Sequence, residues 1–118
     1  MKDLEGKVHN SMDRQCQSRG FAAPVDVLID LGLLEKARYE DWRRGRVPYL
    51  EAVCSGNLHK LSVIVKEMRA YARNMGWKES LSAYRQWGAK SQVLRFSKSG
   101  NPNIEKTYAT HYAGKKMI

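Results

Sequence analysis

Long apolar runs are the first thing this 118-residue sequence lacks. No stretch approaches the roughly 18 to 20 residues that a membrane-spanning helix needs, so no membrane partner is expected. The opening Met1-Lys2-Asp3-Leu4-Glu5 carries no apolar segment of the kind that directs secretion, and the expected location is cytoplasmic. Cysteine is scarce. Only Cys16 and Cys54 occur, and without a secretion signal two cysteines read as reduced thiols, not as a disulfide framework. The three prolines and nine glycines are dispersed and never clustered, which argues against a linker or a disordered chain.

Spacings that carry familiar catalysis are also missing. His9, His59 and His111 lie far from one another, and none forms a zinc-type spacing with Cys16 or Cys54, so neither a metal nor a cofactor is expected. No glycine-rich phosphate loop and no isolated pair of carboxylates among apolar residues is present. A serine–histidine–aspartate or cysteine–histidine set would leave only weak traces in sequence. The expectation is a protein that is not an enzyme.

With 42% hydrophobic residues, the chain is long enough to bury one core and too short for two ordinary domains. Residues 1–118 are therefore read as a single domain, with 1–20 a partly ordered N-terminal segment and 115–118 a frayed tail. The fold class expected is mainly α: a compact multi-helix domain with a long central helix and a short extended segment near 93–97.

The central helix is the clearest feature. From Asn57, a good N-cap, Leu58, Leu61, Val65, Met68, Ala72 and Met75 follow at spacings of three and four, which predicts a helix over about 57–75. Fewer than three heptads favour a core helix over a coiled coil. Pro24 opens a short helix that Gly32 ends, Glu35 to Gly45 forms a second, and Pro48 through Cys54 a third. Leu81, Tyr84 and Trp87 suggest a helix from Lys78 to Gly88. Val93 to Ser97 alternates weakly as a strand or arm. Asn101 and Pro102 start a last helix through Ile104, Tyr108 and Tyr112, ending near Gly114.

Charge is distributed unevenly. Residues 1–34 hold four basic and five acidic side chains, for a net of −1, while the remainder carries 17 basic and seven acidic ones, for a net of +10. Such a field attracts polyanions. On the central helix Lys66, Arg69 and Arg73 fall within about 60° of arc at 100° per residue. Arg43, Arg44 and Arg46 cluster around Gly45, and Lys78, Arg85, Arg95 and Lys98 follow along the chain. The run Ser97-Lys98-Ser99-Gly100-Asn101, ahead of a predicted helix start, mixes cations, hydroxyls and amides in a way that suits a phosphate. Trp77, Trp87 and Phe96 lie among these cations as candidates for base stacking.

Tyr71-Ala72-x-x-Met75-Gly76-Trp77 matches the first half of a helix-turn-helix, with Lys78 and Arg85 then on the second helix, although Ser82 and Arg85 occupy positions that should be apolar. These features point to a non-enzymatic nucleic-acid-binding protein acting through a basic surface, for DNA or RNA, possible as a divergent helix-turn-helix. The alternative is a small assembly module that meets an acidic protein partner, or itself as a homo-oligomer, through Tyr39, Trp42, Tyr49 and Leu50.

Overall fold

Helix α4 (Leu58–Asn74) forms where the apolar stripe predicts it, and the other elements are arranged around it. The Asn57 side chain accepts from the Lys60 amide at 2.8 Å, satisfying one of the unpaired N–H groups of the first turn. In this computed structural model, which describes residues 2–114, Leu61, Ile64, Val65, Met68 and Ala72 are buried along one face of α4.

Helix α1 (Lys2–Arg19) occupies the segment that carried no predicted element and was expected to be partly ordered. Its buried face mixes Val8, Met12 and Cys16 with Ser11 and Gln15, so the stripe is too polar to stand out in sequence. The polar members are satisfied inside: the Gln15 Oε1 accepts from the Ala23 amide at 2.9 Å, and Gln15 Nε2 donates to Ser11 Oγ at 3.1 Å. Two contacts tie α1 to one flank of α4. His9 Nε2 lies 2.6 Å from Glu67 Oε2, and the Tyr71 hydroxyl donates to Asp13 at 2.8 Å.

Helices α2 (Pro24–Asp30) and α3 (Lys36–Arg43) follow the predicted starts. Gly45 ends the α3 turn at φ +77°, a left-handed backbone that favours glycine. The helix expected from Pro48 shrinks to a 3-10 turn over Leu50–Val53.

Residues 78–114 depart further from expectation. The helix predicted from Lys78 to Gly88 is instead strand β2 (Lys78–Leu81) followed by a hairpin of β3 (Arg85–Gln86) and β4 (Ala89–Val93). Of the predicted stripe only Tyr84 is buried, Leu81 and Trp87 being 62% and 43% exposed, and Ser80 and Ser82 are weak helix formers, so backbone pairing with Thr110–Ala113 decides the state of Lys78–Leu81. Pairing ends at Val93, so the extended segment expected near 93–97 overlaps the strand only at its first residue. Beyond it the chain runs as an arm whose Arg95 and Phe96 carbonyls accept from the Leu50 and Glu51 amides at 3.1 and 2.9 Å.

Helix α5 (Pro102–Ala109) starts at Asn101 as predicted but stops before Tyr112. Thr110–Ala113 becomes β5, the centre of an antiparallel sheet of order β1–β5–β2, with β1 at Phe21–Ala22. A strand that pairs on both edges satisfies more backbone than another helical turn would, and it buries Tyr112. Residues 115–118, expected to fray, lie outside the described residues. The protein is thus mainly α with a small antiparallel sheet. Its Cα radius of gyration is 13.8 Å, close to the roughly 13.5 Å of a compact chain this long.

Trp42 sits fully buried where α3, the hairpin and the arm meet. Its ring centroid lies 5.2 Å from Phe96 and 5.6 Å from Tyr84, and its indole N–H donates to the Arg95 carbonyl at 2.8 Å. Phe96 in turn stacks on Tyr108 at 5.6 Å.

His111 in β5 lies 3.0 Å from the Tyr84 hydroxyl and stacks on Phe21 at 5.1 Å. Burial, then the Arg19 charge, holds this imidazole below its ordinary value of 6.5, with Asp26 opposing. A proton that the unfolded chain binds more readily than the folded one removes stability as it becomes available. Stability linked to His111 is therefore complete above about pH 6.5 and declines as pH falls below it. Thermal melts of wild type and His111→Gln over about pH 5 to 8 are expected to diverge on the acid side, with the variant losing less; parallel curves would contradict this assignment.

Candidate functional site

Where the core stripe of α4 points inward, geometry dictates where its cations go. At 100° per residue Lys66, Arg69 and Arg73 lie roughly 115° round from the centre of that stripe, opposite the flank that α1 covers. This edge faces α5. Arg69 Nη2 donates to the Thr107 hydroxyl at 3.1 Å, Thr107 Oγ1 donates back to the Asn103 carbonyl at 2.8 Å, and Arg69 also bonds the Tyr112 hydroxyl. The guanidinium is held in place by its neighbours.

Arg69, Arg73 and Lys106 converge on a polar cleft of about 720 Å³ whose remaining wall includes Glu79 and Ser80 of β2 and Asn103 and Thr107 of α5. Arg73 reaches Glu79 at 3.6 Å, but that pair is solvent-exposed and contributes at most about 1 kcal/mol. Among the described residues, Lys66 and Lys106 have no carboxylate within ion-pair distance. Beside the cleft, sharing Arg69 and Thr107 with it, runs a second groove of about 610 Å³. Leu58, Val65 and Ile104 line this groove, and Lys66, Arg69 and Lys98 stand at its edge.

The remaining predicted cations do not join this surface. Arg43 turns inward: it donates to the Tyr39 hydroxyl at 3.2 Å and lies 5.2 Å from the ring centres of both Tyr84 and Trp87. Arg44 approaches Glu40 at 4.0 Å and Arg46 approaches Asp41 at 3.6 Å, so this cluster is partly neutralised. Arg95 braces its own loop, donating to the Ser97 carbonyl at 2.7 Å and to that of Lys98, with Tyr49 beneath it. Lys78 opens β2 and Arg85 lies in β3, outside the walls of either groove.

Two further expectations are corrected. A helix-turn-helix needs a second helix after Gly76, and the chain there is strand, so no recognition helix forms from residues 78–87. Of the residues proposed to stack or dock, Phe96, Trp42 and Leu50 belong to the core, Tyr39 and Trp77 pack partly buried against it and Tyr49 is half-buried, whereas Trp87 is 43% exposed. Sequence reasoning missed Lys106, Asn103 and Thr107, and placed Ser80 on a recognition helix where the chain is strand. The first three lie at i, i+3 and i+4 of α5, a spacing that places them on one face once 102–109 is read as helix.

The loop at 97–101 was expected to offer its amides to an anion, and those of Ser97, Lys98, Gly100 and Asn101 are already used. The Glu105 carboxylate accepts from the Phe96 amide at 2.8 Å, from the Ser97 amide at 2.7 Å and from the Ser97 hydroxyl. Glu51 accepts from the Lys98 amide at 2.9 Å, and the Gly100 and Asn101 amides donate to Ser97 and Ser99 hydroxyls at 3.1 and 3.2 Å. The protein supplies its own anions here. Glu105→Ala would strand two buried amides, at about 1–3 kcal/mol each. Urea unfolding is expected to register a loss of roughly 3 kcal/mol, with Glu105→Gln losing less because its carbonyl still accepts; a change under about 0.5 kcal/mol would contradict the bracing role.

Among the described residues, no group of three or more His, Cys, Asp or Glu side chains converges to hold a metal ion. No helix there is long and apolar enough to cross a membrane. The chain matches no protein-family model, no curated protein and no solved structure.

Proposed function

We propose that this protein binds nucleic acid through its phosphate backbone, in the polar cleft between α4, β2 and α5. The observation that carries this reading is the convergence of Arg69, Arg73 and Lys106 on one cleft that also presents Ser80, Asn103 and Thr107. Phosphate recognition draws on clustered cations with small hydroxyl and amide donors between them. Lys66 extends the cationic edge by one more turn of α4. The net charge of +9 adds long-range attraction for the same ligand.

Without a recognition helix, contacts fall on the backbone and the binding is indifferent to sequence. Trp87, with the Arg43 and Arg44 guanidinium groups 5.2 and 5.6 Å from its ring centre, offers a separate stacking platform for an unpaired base. The protein acts as a binding module, with no catalytic step.

Four cations neutralising four phosphates give a salt dependence of log Kobs on log[salt] with slope about −3 for single strands. Fluorescence anisotropy with labelled single-stranded and duplex oligonucleotides, between about 50 and 200 mM salt, is expected to return that slope for single strands and about −3.6 for duplex. Arg73→Gln combined with Lys106→Gln should reduce the single-strand slope by about 1.4. Undetectable binding at low salt, or an unchanged slope in the double variant, would reject the proposal.

A further inference from the structure

The apolar groove beside the cleft has its own chemistry. Leu58 and Ile104 are 58% and 41% exposed on its two walls, and Val65 closes its floor. Large aliphatic side chains left open on facing helices, with cations at the margin, mark a binding surface more than a solvated one. Lys66 and Arg69 belong to the α4 wall and Lys98 to the 97–101 loop, so the positive charge is not confined to one element.

From Leu58 to Arg69, twelve residues of α4 span about 16 Å, or three helical turns. The walls offer an occupant little backbone to pair with. Two are helix faces, and the third is the 97–101 loop, whose Lys98, Gly100 and Asn101 amides are already bonded. An extended peptide would bring unpaired N–H and C=O groups against these walls, whereas a helix satisfies its own. Stacking by a base is equally unsupported in this groove: the nearest aromatic ring, Tyr108, is 3% exposed and faces Phe96. Glu51 adds an acid at one end, but its carboxylate is engaged by the Tyr108 hydroxyl at 2.7 Å and the Lys98 amide at 2.9 Å.

We infer that the α4–α5 groove docks a short, acidic, amphipathic helix of another protein, with aliphatic side chains on Leu58, Val65 and Ile104 and carboxylates toward Lys66, Arg69 and Lys98. A segment of a second copy does not fit this description. The acid-rich part of this chain, residues 1–34, is built into α1 and α2, whose apolar faces are buried within the molecule. The site lies beside the proposed phosphate cleft and shares Arg69 with it and Lys66 with its cationic edge, so the two ligands compete for these cations.

The probe is a designed, end-blocked peptide of about 14 residues, with leucines three and four apart and glutamates flanking them. Fluorescence anisotropy against the full chain is expected to give saturable binding, weakened at least tenfold when lysines replace the glutamates or the leucines are scrambled. Leu58→Ser with Ile104→Ser should weaken peptide binding at least tenfold while leaving oligonucleotide affinity within twofold, since no cation changes. Methyl NMR of the unmodified protein, which needs no variant, should place the largest peptide-induced shifts at Leu58, Val65 and Ile104. Three results would overturn the inference: no peptide binding, equal binding of the scrambled peptide, or methyl shifts elsewhere. So would a double variant that keeps the peptide but loses an oligonucleotide or a vesicle of anionic phospholipid.

Discussion

Burial of one face of α4 is the constraint on which the remaining structure depends. Leu61, Ile64, Val65, Met68 and Ala72 must leave water together, and each large apolar side chain contributes about 1.5–3 kcal/mol when fully buried. An exposed ion pair contributes at most about 1 kcal/mol, so the core decides the rotation of the helix and the charged residues accept the result. Once that rotation is set, Glu67 and Tyr71 meet α1 on one flank, and Lys66, Arg69 and Arg73 face α5 on the other. The candidate site is a by-product of packing geometry that α5 completes with Lys106, Asn103 and Thr107.

A second constraint is the management of anions in a chain of net charge +9. Two of its few C-terminal acids are spent on structure. Glu105 ties the arm to α5, and Glu51 ties the 3-10 turn to both the loop and Tyr108. Burial and the neighbouring Glu51 push the Tyr108 hydroxyl well above its ordinary range, so it remains a donor in that bond. These carboxylates occupy the loop that composition alone marks as a phosphate cradle. The cations whose acids are spent elsewhere remain along α4 and α5.

The legible parts of the fold were those with a periodic apolar signal or a capping residue. Asn57 with the 58–74 stripe, Pro24, and Asn101-Pro102 each marked a real helix start. Helix α1 was hidden because Ser11 and Gln15 share its buried face, and only tertiary partners such as the Ala23 amide make them acceptable there. Strand β2 was hidden for the opposite reason: it is exposed throughout, and its state is set by backbone pairing with β5, more than 25 residues away. At the candidate site, the cationic edge of α4 could be read from spacing, but its continuation required knowing that α5 lies against it. The arginines at 43–46 looked equivalent to that edge in sequence. Folding turns Arg43 toward aromatic rings and sets Arg44 and Arg46 beside Glu40 and Asp41.

Phosphate cleft and apolar groove meet at Arg69 and Thr107, so one helix edge serves two neighbouring surfaces of different chemistry. The most direct measurement is an NMR titration of isotope-labelled protein with a short unlabelled single-stranded oligonucleotide at low salt. Backbone shifts are expected to concentrate on Arg69, Arg73, Ser80, Asn103 and Lys106 and to leave α1 and α2 unchanged. Shifts confined to other elements, or none at all, would contradict the assignment of that cleft.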